Sequence, residues 1–243
     1  MMEKSTQDRT AAEQGLGCEF CKSQHRSLMQ TLTGEERKVV EQNKTCTRYP
    51  KGQVLFHEGT RPLGVFCVNG GTIKVFRHGI DGKEQIIKIS SGGDLLGYKA
   101  LISEQHYAHS AQALEDCVVC FIPKEDFLKL LEPGSKFYMD LLKAVCSEHE
   151  EISARMTQMA QRSVRQRLAL TLIMLKETYG VEQGMEGDIE INLTREDLAN
   201  IVGTATESLI RLLNQFKKDN LIASSGRKIK IIDTDGLIRA ARQ

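Results

Sequence analysis

The sequence predicts an α+β chain in three successive textures: a glycine-punctuated antiparallel β-roll, one long amphipathic helix, and a small helical unit that ends in a strand pair. Three observations predict it. Short β-prone runs separated by glycines fill the stretch from about Arg48 to Ile122. After Pro133-Gly134 the apolar spacing changes to gaps of three and four. Beyond Asn192 two short capped segments meet at a glycine and are followed by strand, turn, strand.

A chain of 243 residues suits two modest domains better than one. Its 40% hydrophobic and 27% charged content are ordinary for a globular protein. The longest apolar stretches, such as Leu168 to Leu175, fall far short of a membrane span. No charged segment followed by an apolar one opens the chain, so no secretion signal and no membrane partner are expected. The 7 cysteines are scattered rather than framed, which favours a reducing, cytoplasmic setting. Net charge is +1, so global basicity announces no nucleic acid. The part after Ala160 carries 13 basic against 11 acidic side chains, where the preceding part carries 20 against 21. That tilt has the right sign for DNA and is too small to decide anything.

Residues 1–17 form a polar tail without apolar periodicity and are expected to be disordered. Residues 18–133 are read as the roll, of double-stranded β-helix or jelly-roll type. Its expected strands include Val54-Leu55-Phe56, Val65 to Val68, Thr72 to Phe76, Gln85 to Ile89 and Cys117 to Ile122. Ile80-Asp81-Gly82-Lys83 is the expected hairpin turn, because Asp-Gly supplies the positive φ a tight turn needs.

Residues 134–161 are read as the long helix. Leu142, Val145, His149, Ile152, Met156 and Met159 form a narrow seam that suits a parallel two-stranded coiled coil, hence a homodimer. The alternative is a helix docked on its own roll. Residues 162–243 are read as the small domain. A helix starts near Ser163 with Gln166 as capping-box partner, presents Val164, Leu168, Leu172 and Leu175 on one face, and gives way to a polar loop from Gly180 to Gly187.

The most informative stretch runs from Asn192 to Leu213. Thr194 is expected to cap a short helix with Asp197 at the reciprocal position, and Gly203 to break it. Thr204 is expected to cap the next helix, with Glu207 closing a second box. Leu209, Leu212, Leu213 and Phe216 then form an inward stripe. Two short helices joined at a glycine, the second amphipathic, describe a helix-turn-helix. Thr206, Glu207, Ile210 and Arg211 take the outward positions; arginine can donate twice to guanine, and glutamate can accept from cytosine. Arg195, Thr204, Ser208 and Ser225 are candidate phosphate or flanking contacts, with Arg227 and Lys228 at the tip of a wing formed by Leu221 to Ile232. The alternative is that Glu207 and Arg211 merely pair on the helix surface, and that the winged helix docks protein rather than DNA. No Ser/His/Asp set, paired carboxylates or phosphate-cradling loop is identifiable, so no enzyme is expected.

This order of roll, long helix and winged helix-turn-helix resembles the Crp–Fnr family of bacterial transcription regulators over roughly residues 18–235. The carriers are Gly92-Gly93-Asp94-Leu95-Leu96-Gly97, Arg167-Leu168-Ala169, and Leu198 to Arg211. The resemblance implies a homodimer on a near-palindromic DNA site, contact with RNA polymerase, and a small-molecule or redox effector that repositions the two readers. It assigns Glu207 and Arg211 to base reading; Ile210 stands where the oxygen-sensing branch usually has serine. It places a candidate effector pocket at Lys88, Gly97, Tyr98, His109, Ser110, His149, Ile152 and Ser153. The cyclic-nucleotide branch has an acid where Tyr98 stands and Arg-Ser where His109-Ser110 stands, so cAMP binding is not expected. The oxygen-sensing branch holds a [4Fe–4S] cluster on four cysteines. Cys18 and Cys21 match the first two and Cys120 the fourth, while Ser27 stands at the third, with Cys117, His25 or Cys46 as substitutes. A zinc site, redox-switching thiols and inert thiols are the other readings of Cys18-Glu19-Phe20-Cys21. Cys46, Cys67 and Cys146 read as small buried hydrophobes.

Overall fold

The computed structural model describes residues 21, 23–183 and 189–242. The polar tail 1–17 and Cys18 lie outside the described residues. In chain order, two short 3-10 turns over 24–31 precede α1 (Gly34–Asn43), β1 (Thr45–Tyr49), β2 (Val54–Phe56), β3 (Gly64–Gly70), β4 (Ile73–His78) and β5 (Glu84–Ser90). There follow β6 (Leu95–Leu96), α2 (Tyr98–Ile102), β7 (Ser110–Ala113), β8 (Cys117–Pro123), α3 (Lys124–Lys129) and α4 (Lys136–Gln161). The C-terminal part comprises α5 (Val164–Gln183), β9 (Glu190–Asn192), α6 (Arg195–Val202), α7 (Thr206–Lys218), β10 (Ile222–Ser225), β11 (Lys228–Ile231) and α8 (Thr234–Ala240).

Contacts divide the chain into two compact units. One holds the residues up to Ile73 together with Ser90–Cys146; the other holds Lys74–Ile89 and Ser147–Gln243. In the first unit β1, β8, β3 and β6 form an antiparallel sheet in that order, and β2 pairs with β7. Phe56 on β2 stacks on Phe66 of β3 and on Tyr107, with ring centroids 5.6 Å and 4.1 Å away, which ties the β2–β7 pair to the four-stranded sheet. The core beneath this sheet is built from Met29, Leu32, Val40, Val65, Leu95, Tyr98, Leu101, Ile122, Phe127 and Phe137. Antiparallel strands with a buried inner face are what the glycine-punctuated alternation demands.

In the second unit β4 and β5 form the hairpin whose turn the Asp-Gly pair predicts. The Gly79 amide donates to the Lys83 carbonyl, and Gly82 sits at φ 71°. The helix expected at Ser163 has its box intact: the Ser163 amide donates to Gln166 Oε1 and the Gln166 amide to Ser163 Oγ. That helix runs on through Gln183, so the polar loop expected from Gly180 starts later, and its remainder lies outside the described residues. A glycine inside a helix costs only about 1 kcal/mol, which neighbouring packing overrides. Leu168, Leu172 and Leu175 are fully buried.

Candidate nucleic-acid interface

Thr194 caps α6 as its spacing predicts, accepting from the Asp197 amide at 2.9 Å. Leu198, Ala199, Ile201 and Val202 turn inward, and Gly203 closes the helix at φ 71° in the left-handed region. A β-carbon there would be strained by that φ, and it would meet Met159 Sδ at 3.1 Å, so glycine is required at this turn. The second cap differs from expectation. The N-cap of α7 is Ala205, in extended conformation with no side-chain acceptor, and Thr204 lies one residue outside it. The Thr204 amide is drawn back onto the Ala199 carbonyl, which displaces the residue from cap geometry. The N-terminal amides of α7 are therefore left without a side-chain acceptor, as suits a helix end offered to phosphate.

Leu209, Leu213 and Phe216 anchor α7 inward, with Leu212 half-buried beside them. Glu207, Ile210, Arg211 and Asn214 are exposed on the opposite face, while Thr206 and Ser208 are half-buried. The sheet β10-β11-β9 carries the wing, with Ser225, Arg227 and Lys228 exposed at its turn. Lys228 pairs with Glu190 of β9 at 2.6 Å. The third strand, β9, is too short for its alternation to be read in sequence.

Two arginines brace this reader. Arg195 reaches the wing: its Nη2 donates to the Gly226 carbonyl at 2.8 Å, and burial lowers its pKa. It thereby fixes the wing turn against the start of α6. Arg167 on α5 spans the helix-turn-helix corner, donating to the carbonyls of Val202 at 3.0 Å, Gly203 at 3.1 Å and Arg162 at 2.8 Å. A planar guanidinium with donors on three nitrogens is suited to tying off three carbonyls at once.

The hairpin is tied to α6 by a buried charge cluster that nothing in the sequence singles out. Lys74 Nζ on β4 contacts Glu84 of β5 and Asp197 of α6, at 2.5 Å and 3.0 Å. Burial lowers the Lys74 pKa, but hydrogen bonds and charge from the two carboxylates outweigh it and leave the value raised. Beside this cluster Gln85 Nε2 donates to the Asn200 carbonyl at 2.6 Å. Arg155 of α4 donates to the Ile87 carbonyl, with burial pulling its pKa down.

On α4, Leu142, His149, Ile152, Ser153, Met156 and Met159 are exposed in the single chain, Met156 at 69%. Val145 is half-buried and packs against the roll core. An apolar groove of about 610 Å³ is lined by Ile86, Ile87, Ile152, Met156 and Met159, with Arg155 and Gln85 at its edge.

A family model for the cyclic nucleotide-binding domain matches residues 46–133, and one for the Crp-like helix-turn-helix domain matches residues 166–240. The chain is 29% identical over 225 residues to the anaerobic regulatory protein of Haemophilus influenzae, covering 91% of this chain and 86% of that one. It is 27% identical over 228 residues to the fumarate and nitrate reduction regulatory protein of Escherichia coli K12, covering 92% and 90%. Among solved structures it resembles FixK2 from Bradyrhizobium japonicum, with TM-score 0.72 and 20% identity over 81% of this chain and 96% of that one. A CRP/FNR family regulator from Thermus thermophilus matches with TM-score 0.68 and 21% identity, over 82% and 99%. The fold and the reader define a DNA-binding transcription regulator with a sensing domain, and its relatives are regulators rather than enzymes. The chain belongs to the Crp–Fnr family.

The residues present do not fit the groups that branches of this family hold. For a cyclic nucleotide, the Tyr98 ring is buried in the roll core at 4% exposure and offers no acid to a ribose. Gly97 before it takes a left-handed φ of 84°. Ser110 Oγ is engaged by the Glu58 amide at 2.9 Å, and the half-buried His109 before it replaces the arginine. Lys88 pairs with Glu148 at 2.7 Å. For a four-thiolate cluster, Ser27 is buried as the cap of a 3-10 turn, accepting from the Met29 amide, with its Oγ 3.8 Å from Cys67 Sγ. Cys120 is bonded to Cys46, its register partner on β1, so neither sulfur is a free thiolate here. Cys21 is half-buried, Cys117 is buried with its Sγ at the Thr72 carbonyl, and His25 is exposed. No group of three metal-binding side chains is gathered among the described residues. Of the cysteines expected to be buried hydrophobes, Cys67 is one; Cys46 is disulfide-bonded, because β1 places it opposite Cys120, and Cys146 is exposed on α4.

Proposed function

We propose that the chain works as a homodimer in the cytoplasm, reading a near-palindromic promoter site with two copies of α7 and handing the result to RNA polymerase. The observation that carries this is the pairing of two uncovered surfaces on one chain. The outward face of α7 offers Glu207 and Arg211 to a G·C pair. The seam of α4 leaves Leu142, Ile152, Met156 and Met159 exposed at coiled-coil spacing, as a face awaiting a second copy would. Two readers then meet major grooves about one helical turn apart. Arg227 at the wing tip and the open N-terminus of α7 supply phosphate contacts, and Arg195 and Arg167 hold these parts in place.

The signal enters through the roll. Because the nucleotide and cluster donor sets are incomplete, the Cys46–Cys120 pair favours a thiol–disulfide signal over either. Its state would bias the arrangement of the α4 helices and hence the spacing of the readers. The test is binding to a duplex selected from a random pool. Sedimentation should give twice the 27.2 kDa chain mass, and affinity should fall steeply with salt, by roughly 0.9 log units per tenfold salt for each phosphate contact. Met156→Glu should yield monomers that no longer hold the palindrome. Salt-independent capture of protein partners, with no selected duplex, would replace this reading by a protein-docking module.

A further inference from the structure

The polar face of α7 contains one side chain that does not belong to a solvated helix surface. Ile210 is 43% exposed, and among the exposed positions of α7 it is the one large apolar residue, flanked by Glu207, Arg211 and Asn214. A β-branched residue is a below-average helix former and gains nothing from water. The folded unit leaves 43% of it uncovered, while Leu209 and Leu213 do the inward packing.

We propose that Ile210 is a specificity-determining residue that detects the 5-methyl group of thymine, so that each half-site carries a T·A pair next to the G·C pair read by Glu207 and Arg211. This rests on the reading of α7 as the major-groove helix. Ile210 lies three residues from Glu207 and directly before Arg211, within one turn of both, so all three side chains address neighbouring base pairs. In the major groove thymine alone among the four bases presents a methyl; the others present donors and acceptors. Isoleucine gains apolar contact against that methyl. Against a guanine, adenine or cytosine edge it strips water from polar atoms and returns no hydrogen bond. The discrimination therefore comes from attraction to one base and from a penalty on the other three. Thr206, half-buried one turn earlier, is the competing methyl-bearing side chain and serves as the control.

The experiment uses the full-length protein and its own selected duplex, with each thymine of the half-site replaced in turn by deoxyuridine, which removes the methyl and nothing else. Burial of one methyl predicts a roughly fourfold loss of affinity at one thymine per half-site, and roughly fifteenfold when both half-sites are changed. Ile210→Ser should bind the thymine and uracil duplexes equally, while Thr206→Ser should keep the difference; matching thermal melts confirm that both variants fold. Equal binding of thymine and uracil duplexes by the native chain overturns the proposal, as does loss of discrimination in Thr206→Ser alone. If those duplexes still lose affinity on Arg211→Ala, only the methyl assignment fails. If Arg211→Ala changes nothing, the assignment of α7 as reader fails with it.

Discussion

Replacing Lys74 by methionine removes one cation and leaves two carboxylates facing the space it filled. The Lys74 side chain is 7% exposed, Asp197 14% and Glu84 25%. Breaking a buried ion pair from one side costs about 3–5 kcal/mol, because the remaining charge is stranded. Here Glu84 keeps enough exposure to recover water, and Asp197 keeps its hydrogen bond from the Thr194 hydroxyl. Both facts place the cost at the low end, about 3 kcal/mol. For a chain of this size that corresponds to a fall in Tm of roughly 6–12 °C. Asp197→Asn should cost less, about 1–2 kcal/mol, since Lys74 retains Glu84.

The folded Lys74 pKa is raised above 10.5, so the stabilisation is complete below that pH and is lost only as pH climbs past it. Denaturant melts at pH 7.5 therefore read the full effect. The decisive quantity is the coupling in the double-mutant cycle. Lys74→Met with Asp197→Asn should be less destabilised than the two single changes added together, because neutralising Asp197 relieves part of the stranded charge. Additive losses, or a Lys74→Met cost below about 1 kcal/mol, would refute the claim that this cluster holds the hairpin to α6.

Arg167→Ala should cost about 2 kcal/mol and weaken DNA binding although its guanidinium is spent on the carbonyls of the turn, and Arg167→Lys should recover little because a single ammonium cannot span them; intact affinity in Arg167→Ala, measured by anisotropy, would show that the turn holds without it. Cys46 and Cys120 should resist alkylation until a dithiol reductant is added. Closing a 74-residue loop gives the bond up to about 4 kcal/mol by chain entropy, so Cys46→Ser should melt earlier than the oxidised chain and close to the reduced one. Free thiols at both positions in air, seen by mass spectrometry, would contradict the bonded pair.

The parts of this molecule that sequence made legible are those whose cause is local. The Asp81-Gly82 turn, the Ser163–Gln166 box and the Thr194 cap each need only residues within three or four positions of one another, and each forms, although the Asp197 carboxylate accepts from the Thr194 hydroxyl and Lys74 where the spacing predicts a reciprocal capping bond. The second cap shows the limit of that logic. Thr204 and Glu207 have capping-box spacing, yet the Thr204 amide bonds back to the Ala199 carbonyl and the N-cap falls to Ala205. Which of two adjacent residues takes the cap depends on how the preceding helix ends, and spacing does not encode that. Short strands such as β6 and β9, with two and three residues, fall below the length at which alternation is a signal.

Long-range pairs escape for a different reason. Lys74 and Asp197 are 123 positions apart and look like ordinary surface charges in their own neighbourhoods; only the fold places them at 3.0 Å. The pairing of Cys46 with Cys120 is likewise invisible until β1 is set in register against β8. The cysteine pattern near the N-terminus is legible because its spacing is compact, whereas the sulfur chemistry the roll displays is built by strand pairing. The same contrast runs through the reader. Glu207 and Arg211 are recognisable because their chemistry matches a base pair, and Ile210 shares their face. Its outward position is legible from the spacing; its 43% exposure beside buried leucines makes it a residue that needs a partner, and the partner that suits it on that face is a methyl group in a groove.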